Sequence, residues 1–189
     1  NLVKKSKKPI LYVGGGIIHS KANSELFELA TKFNIPVVTT LMGRGAFPDG
    51  HELCLEMPGM HGNYTATTSI QNADLLIAIG VRFDDRVTAN PSFFAQNAKV
   101  IHADIDPAEI GKVRDAEVPI VGDAKSVIKG LIEALGDTQL ETKSWISDLK
   151  EMKSKFPLSY NQEDKGPLKV PYVLEELQKL TKEEAVVVS

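Results

Sequence analysis

The sequence predicts an α/β fold: a parallel sheet with helices on both faces. Three observations carry that prediction. Short apolar runs bounded by turn residues alternate with segments of helical periodicity, the pattern of repeated strand, helix, strand units. The run Leu75–Ile79 is apolar throughout, as a buried strand requires. Glycines and charges follow the runs at once, most densely in Gly80-Val81-Arg82-Phe83-Asp84-Asp85-Arg86-Val87-Thr88, and in an open parallel sheet ligands bind in the crevice beyond the carboxyl ends of the strands.

Along the chain, the first strand is expected over 9–13, ending at Gly14-Gly15-Gly16. A helix over 24–33 follows, with Leu26, Leu29, Ala30 and Phe33 at helical spacing and Asn34 closing it. Strand two is expected over 35–39. Residues 41–64 form a long irregular stretch rich in glycine and proline, and a loop of that length in a compact domain is usually functional or disordered. A short helix over 65–72 leads into strand three over 73–79, and 91–96 is a helical turn. Strand four covers 99–104, a short helix over 106–112 has Pro107 at its first position, and strand five covers 118–121. The helix over 124–135 puts Val127, Ile128, Leu131, Ile132 and Leu135 on one face. Trp145, Leu149, Met152 and Phe156 recur at i, i+4, i+7 and i+11, a helix that packs on something. Residues 157–171 are polar and linker-like, 171–180 is a helix with an apolar stripe of Val173, Leu174, Leu177 and Leu180, and 186–188 begins a strand. The expected division is one domain over 1–156 and, over 157–189, a linker with the truncated start of a second.

Composition excludes several classes of function. A hydrophobic fraction of 42% beside 25% charged residues is that of an ordinary globular chain with one good core. The formal net charge of −3 gives no reason for a polyanion-binding surface. Lys4, Lys5, Lys7 and Lys8 cluster near the start without interleaved aromatic residues, so a solvated segment is expected rather than a nucleic-acid arm. Cys54 is the single cysteine, which rules out an intrachain disulfide and points to an inert thiol in a reducing compartment. No run approaches the roughly 18 apolar residues of a membrane span. The expectation is a cytoplasmic protein, or an organellar one without its transit peptide, that is a piece of a longer polypeptide and binds neither nucleic acid nor membrane.

The residues that could carry chemistry stand at strand ends. Arginine offers a fixed fork of donors suited to phosphate, while aspartate accepts from ribose hydroxyls or orients the arginines, so the 80–88 segment points to a nucleotide. Gly14-Gly15-Gly16 would let the backbone approach a pyrophosphate, or is simply a tight turn between strand and helix. It is not the GxGxxG fingerprint, since His19 stands at the third glycine, and the second strand ends in Thr39-Thr40 without the acid that would hold a ribose. An ordinary NAD dehydrogenase is therefore disfavoured. Asp104-Ile105-Asp106 and Gly122-Asp123-Ala124 end two further strands, where Asp106 and Asp123 are helix N-caps or ligand groups. His61, in the long loop, could stack on or bond to a ring.

These strings, together with Gly59-Met60-His61-Gly62, Thr39-Thr40-Leu41-Met42-Gly43-Arg44-Gly45 and Asp104-Ile105-Asp106-Pro107-Ala108-Glu109-Ile110, closely resemble the catalytic subunit of the acetohydroxyacid synthases, also called acetolactate synthases. The resemblance covers about residues 8–135 as that enzyme's central domain, a three-layer, Rossmann-like sheet of the NAD/FAD-binding type. It implies a transferase that condenses pyruvate with pyruvate or 2-oxobutyrate, releasing carbon dioxide, in branched-chain amino-acid synthesis. It implies FAD in this domain, with thiamine diphosphate and magnesium bound outside the chain. Its implied partners are the remaining domains, a second copy in a dimer or tetramer, and a regulatory subunit.

Carried over position by position, the resemblance places Gly14, Gly15 and Gly16 near the phosphates and ribitol, and Thr40, Leu41 and Met42 around the isoalloxazine. Gly59, Met60 and His61 would flank the flavin. Gly80, Val81, Arg82, Asp84, Arg86 and Val87 would line the middle of the cofactor. Asp104, Ile105, Glu109, Gly122, Asp123 and Ala124 would hold the adenosine end, while Met60, Asp85 and Arg86 approach the substrate channel where inhibitors bind. Ala89 stands where the family commonly has glycine, and Pro58 where it commonly has leucine. Neither the catalytic glutamate nor the magnesium-binding run of the family occurs here, so no catalytic or metal-ligating residue is assigned and the chain alone is expected to be inactive. The alternatives are a module that joins the thiamine domains without holding flavin, and the central domain of a related carboligase such as glyoxylate carboligase. A stand-alone nucleotide-binding protein is the weakest.

Overall fold

The expected apolar runs assemble into one sheet. In the computed structural model, which describes all residues except 164, 183 and 187–189, β1 (Pro9–Val13), β2 (Val37–Thr39), β3 (Leu75–Ile79), β4 (Lys99–Asp104) and β5 (Val118–Val121) pair in the order β2-β1-β3-β4-β5. Every pairing is parallel. The chain leaves β1 for one side of the sheet, then crosses to β3 on the other side, so the topological switch point lies between β1 and β3. Pro119, which has no N–H to give to a ladder, stands on the edge strand β5 where it can be tolerated.

Alternation along each strand divides the core in two. Leu11, Val13, Leu75, Ile77, Ile79, Ile101 and Ala103 face one layer, and Ile10, Tyr12, Leu76, Ala78 and Val100 face the other. The first layer is covered by α2 (Gly15–His19) through Ile17, by α3 (Asn23–Phe33) through Leu26, Leu29, Ala30 and Phe33, and by α6 (Ala124–Leu135) through Ile128 and Leu135. The second is covered by α4 (Tyr64–Asn72) through Ala66 and Ile70, and by α7 (Lys143–Lys155) through Trp145 and Leu149. Each leucine, isoleucine or phenylalanine among them contributes about 1.5–3 kcal/mol by leaving water. Helices on both faces of a parallel sheet are the fold the sequence predicts.

Polar groups close the ends of the elements. Asn63 accepts from the Ala66 amide at the start of α4, and Asp123 accepts from the Ser126 amide at the start of α6. Asn34 ends α3 in the left-handed conformation. The indole N–H of Trp145 donates to the Pro9 carbonyl at 3.3 Å and ties α7 to the first residue of β1. Lys4, Lys5, Lys7 and Lys8 are exposed, as expected, while their neighbours are held: α1 (Leu2–Lys5) buries Val3, and the Asp74 carboxylate accepts from the Lys7 and Lys8 amides and the Ser6 hydroxyl.

Several expectations are corrected. Gly15–His19 is helical although its N-cap and first two residues are glycines, and Asp85–Thr88 forms a single turn, α5, where a loop is expected. Residues 106–112 are a run of turns rather than a helix. There Asp104 and Asp106 side chains take the amides of Asp106 and Ala108, and Gly111 sits at φ +76, so no helical ladder can propagate. The turn expected over 91–96 is shorter, Pro91–Phe93. A separate unit, Pro157–Ser189, holds α8 (Val170–Thr181), whose Val173, Leu174, Leu177 and Leu180 are exposed. Of the strand expected over 186–188, Val186 lies in no strand and the other two positions fall outside the described residues.

Helix α5 ends on Ala89 at φ 49, ψ −105, a conformation that an L-residue rarely adopts. Ala89 is exposed, so removing its methyl group sacrifices little burial. Ala89→Gly is expected to raise stability by about 1 kcal/mol, read as a higher denaturant midpoint with an unchanged m-value. An unchanged or lowered midpoint would show that the strain is absent.

Candidate functional site

The carboxyl edge of the sheet is built around glycine. Gly80, directly after β3, takes φ +61, and its backbone lies so close to the turn after β1 that a Cβ on Gly80 would stand 2.6 Å from the Gly16 Cα. The converse contacts are as tight: a Cβ on Gly14 would meet the Gly80 carbonyl oxygen at 2.2 Å, and one on Gly16 the Gly80 Cα at 2.7 Å. The Gly16 amide donates to the Gly80 carbonyl. Gly14 and Gly16 are thus required by the backbone of the neighbouring strand, and Gly15 is the outer member of the three. A Cβ there would meet Met42 at 3.4 Å and His19 at 3.9 Å, ordinary contact distances.

After Gly80 the chain makes an unusual turn. Val81 is buried, Arg82 exposed, Phe83 buried, and Phe83 takes φ +53, a left-handed conformation rare for a bulky side chain. The Phe83 ring anchors the loop. It meets Tyr12 at 5.7 Å between centroids, Phe94 at 6.1 Å and His102 edge-on at 5.0 Å. Burying Phe83 leaves Arg82 and Asp84, on either side of it, at the surface of the crevice. Asp84 then caps α5, accepting from the Arg86 amide at 3.0 Å. That amide, with the Arg86 guanidinium at 3.3 Å, holds the Asp84 carboxyl below its usual range, against an opposing contribution from burial. Burial, helped by the charge of Asp84, pushes the Tyr12 phenol upward.

The two arginines are placed differently. Arg86 lies between Asp84 at 3.3 Å and Asp85 at 3.6 Å, exposed ion pairs of small energetic weight. Arg82 has no carboxylate partner among the described residues, so its donors are open to an anion from outside.

Two loops complete the edge near β1 and β3. Thr40 accepts from the Gly43 amide through its side chain and donates its own amide to the Val13 carbonyl, fixing a short helical turn, Leu41–Gly43, against the end of β1. This leaves Leu41 and Met42 each 70% exposed at the edge. The Gly59 backbone packs on Arg86 and Val87, and the Met60 amide lies 3.4 Å from the Arg86 carbonyl, so Gly59, Met60 and His61 border the turn of α5. Met60 is 77% exposed. His61 is also exposed, and among the described residues nothing is bonded to its ring.

Toward β5 the edge becomes polar. Asp104 and Asp106 accept from nearby amides, Glu109 pairs with Lys112 at 2.9 Å, and Asp123 caps α6 behind Gly122 and the buried Ala124. Ile105 projects between them, 72% exposed. The edge therefore runs from apolar at β2, through a free guanidinium at β3, to carboxylates at β4 and β5. At ~4.8 Å per strand it is about 19 Å across.

The residues beneath the edge are not among the expected site residues. Tyr12 and His102 are fully buried under the loop, and Gly43, whose Cβ would meet the Val13 carbonyl at 2.7 Å, seats the turn after Thr40. Phe83 was the available signal: one large apolar residue amid four charged ones is an anchor. Cys54, by contrast, is buried away from water, which pushes its thiol upward and suits the expected inert role.

Residues 1–131 match the family profile described as thiamine pyrophosphate enzyme, central domain. The chain is 52% identical to the acetolactate synthase of Mycobacterium avium over its whole length, which is 31% of that relative. It is 51% identical to the acetolactate synthase large subunit of Corynebacterium glutamicum, with 94% of the chain and 29% of the relative aligned. With the probable acetolactate synthase large subunit of Methanocaldococcus jannaschii the identity is 45%, over 96% of the chain and 31% of the relative. The chain thus spans about a third of the length of these relatives.

Proposed function

Because the chain belongs to the family of thiamine pyrophosphate enzyme central domains, we propose that it is the FAD-binding central domain of a biosynthetic acetolactate synthase. The observation that carries this reading is Arg82, exposed at the switch-point edge and free of any carboxylate partner among the described residues, between the apolar Met42 and Met60 side and the Asp104 and Asp123 side. Leu41, Met42 and Met60 would receive the isoalloxazine, with Thr40, Gly59 and His61 beside it. Gly15, Arg82 and the Gly80–Val81 backbone would receive the diphosphate, with Asp84, Arg86 and Val87 alongside. Asp104, Ile105, Glu109, Gly122, Asp123 and Ala124 would receive the adenosine. Gly14 and Gly16 act by letting the backbones close.

In the complete enzyme, thiamine diphosphate with magnesium would supply the carbanion chemistry that joins two pyruvates, or pyruvate and 2-oxobutyrate, with loss of carbon dioxide. None of the residues at this edge performs that chemistry, so the chain alone is a binding domain. Its partners would be the other domains of the polypeptide, a further copy in a dimer or tetramer, and a regulatory subunit, in the cytoplasm.

Titrating the chain with FAD and following flavin fluorescence tests the reading. Saturable quenching is expected. Arg82→Gln is expected to weaken it about 10- to 100-fold, the loss of a charge-assisted contact to phosphate, with the unfolding midpoint unchanged because the side chain is exposed. No binding by the parent chain, or equal binding by the variant, would count against the proposed site.

A further inference from the structure

Beneath the Arg82–Asp84 loop lies a buried row that the flavin reading does not use. Tyr12, Ala78 and His102 stand side by side across β1, β3 and β4, and the Phe83 ring contacts both outer members. His102 is completely buried. Its Nε2 stands 2.8 Å from the Val81 carbonyl oxygen, and its Nδ1 has no partner among the described residues. A carbonyl only accepts, so Nε2 carries a proton, and a second proton on Nδ1 would be a buried donor with nothing among the described residues to accept it. The imidazole thus gives its one donor to the residue just ahead of Arg82, and its ring to the residue just behind.

We propose that His102 is the positioning residue of this loop: its Nε2–H fixes the Val81 carbonyl, two residues ahead of the buried Phe83 ring, so that Arg82 and Asp84 are presented outward in one orientation. The use of that orientation for a dinucleotide rests on the flavin reading above, whereas the positioning itself rests on the geometry. A histidine kept only for its volume would be replaceable by any ring of similar size.

The test compares His102→Gln, whose amide can reach the same carbonyl, with His102→Phe, which keeps a ring and loses the donor, in the whole chain. Amide exchange is read at Val87, Thr88 and Ala89, each bonded within the turn after Asp84. Exchange is expected to accelerate about tenfold in His102→Phe, the effect of a buried carbonyl left without its donor, and to stay near the parent rate in His102→Gln. FAD affinity should follow the same order. Unchanged exchange in His102→Phe, or equal loss in both variants, overturns the proposal. Should His102→Phe not fold, long-range nitrogen–proton NMR of the unsubstituted chain decides: a protonated Nε2 with a bare Nδ1 is expected, and the opposite tautomer overturns it. An exchange contrast that persists while neither parent nor variants bind FAD supports the positioning and removes the flavin reading instead.

Discussion

Replacing Gly80 with alanine is expected to lower the stability of the Asn1–Phe156 unit by about 2–5 kcal/mol, the sum of a left-handed backbone penalty of about 1–2 and an overpacking penalty of about 1–3. The two contributions can be separated. Gly45 has φ +82, and nothing lies within 4 Å of where an alanine methyl would stand, so Gly45→Ala should cost only the backbone penalty. Gly16→Ala keeps an ordinary helical φ but places its Cβ 2.7 Å from the Gly80 Cα, so it should show the overpacking penalty less the roughly 0.5–1 kcal/mol that alanine gains over glycine there. Neither neighbour can yield cheaply, because both contacts at the switch point are backbone against backbone. Against a typical domain stability of about 5–15 kcal/mol, the Gly80 change leaves a marginal fold. Urea unfolding of the three variants checks the order. A Gly80→Ala midpoint close to that of Gly45→Ala would mean that the β1 and β3 turns do not touch.

That crossing of two glycine turns was only half legible in the sequence. Glycines after apolar runs mark strand ends, and the positions of β4, β5 and α6 follow from apolar runs and from Asp123 ahead of Ala124. Which glycines face a ligand and which face each other is a question of tertiary distance that spacing along the chain does not hold. The helix Gly15–His19 was hidden for a related reason: glycine is a poor helix former, and the helix exists because Ile17 is buried under α3 and α6. Residues 106–112 carry a genuine start signal in Asp106-Pro107, but local side-chain bonds and Gly111 outcompete it. At the site, the charges were legible because a strand end with arginine and aspartate has few structural uses. The groups that aim those charges were not, since His102 looks like any core residue of a strand until its register beside Ala78 brings it beneath Phe83.

Phe83→Ala is expected to cost about 3–5 kcal/mol, as for other fully buried aromatic side chains, and to loosen the segment that carries Arg82 and Asp84. The ring joins Tyr12, Phe94 and His102, so its removal opens a void among three rings that the rigid strands β1 and β4 cannot close. The backbone supplies a sharper test. At an ordinary position glycine is worse than alanine by about 0.5–1 kcal/mol. At φ +53 the order should invert, because alanine still suffers the left-handed penalty while glycine escapes it. Phe83→Gly is therefore expected to be no less stable than Phe83→Ala, although it removes one more carbon. If the usual order held, the left-handed turn would be wrong, and with it the reason why Arg82 and Asp84 emerge on either side of a buried ring. If it inverts, the burial energy of Phe83 is what keeps a strained turn in place. The orientation of the free guanidinium would then be set by the core rather than by the loop, which is how a segment of exposed charges can stay ordered before any ligand arrives.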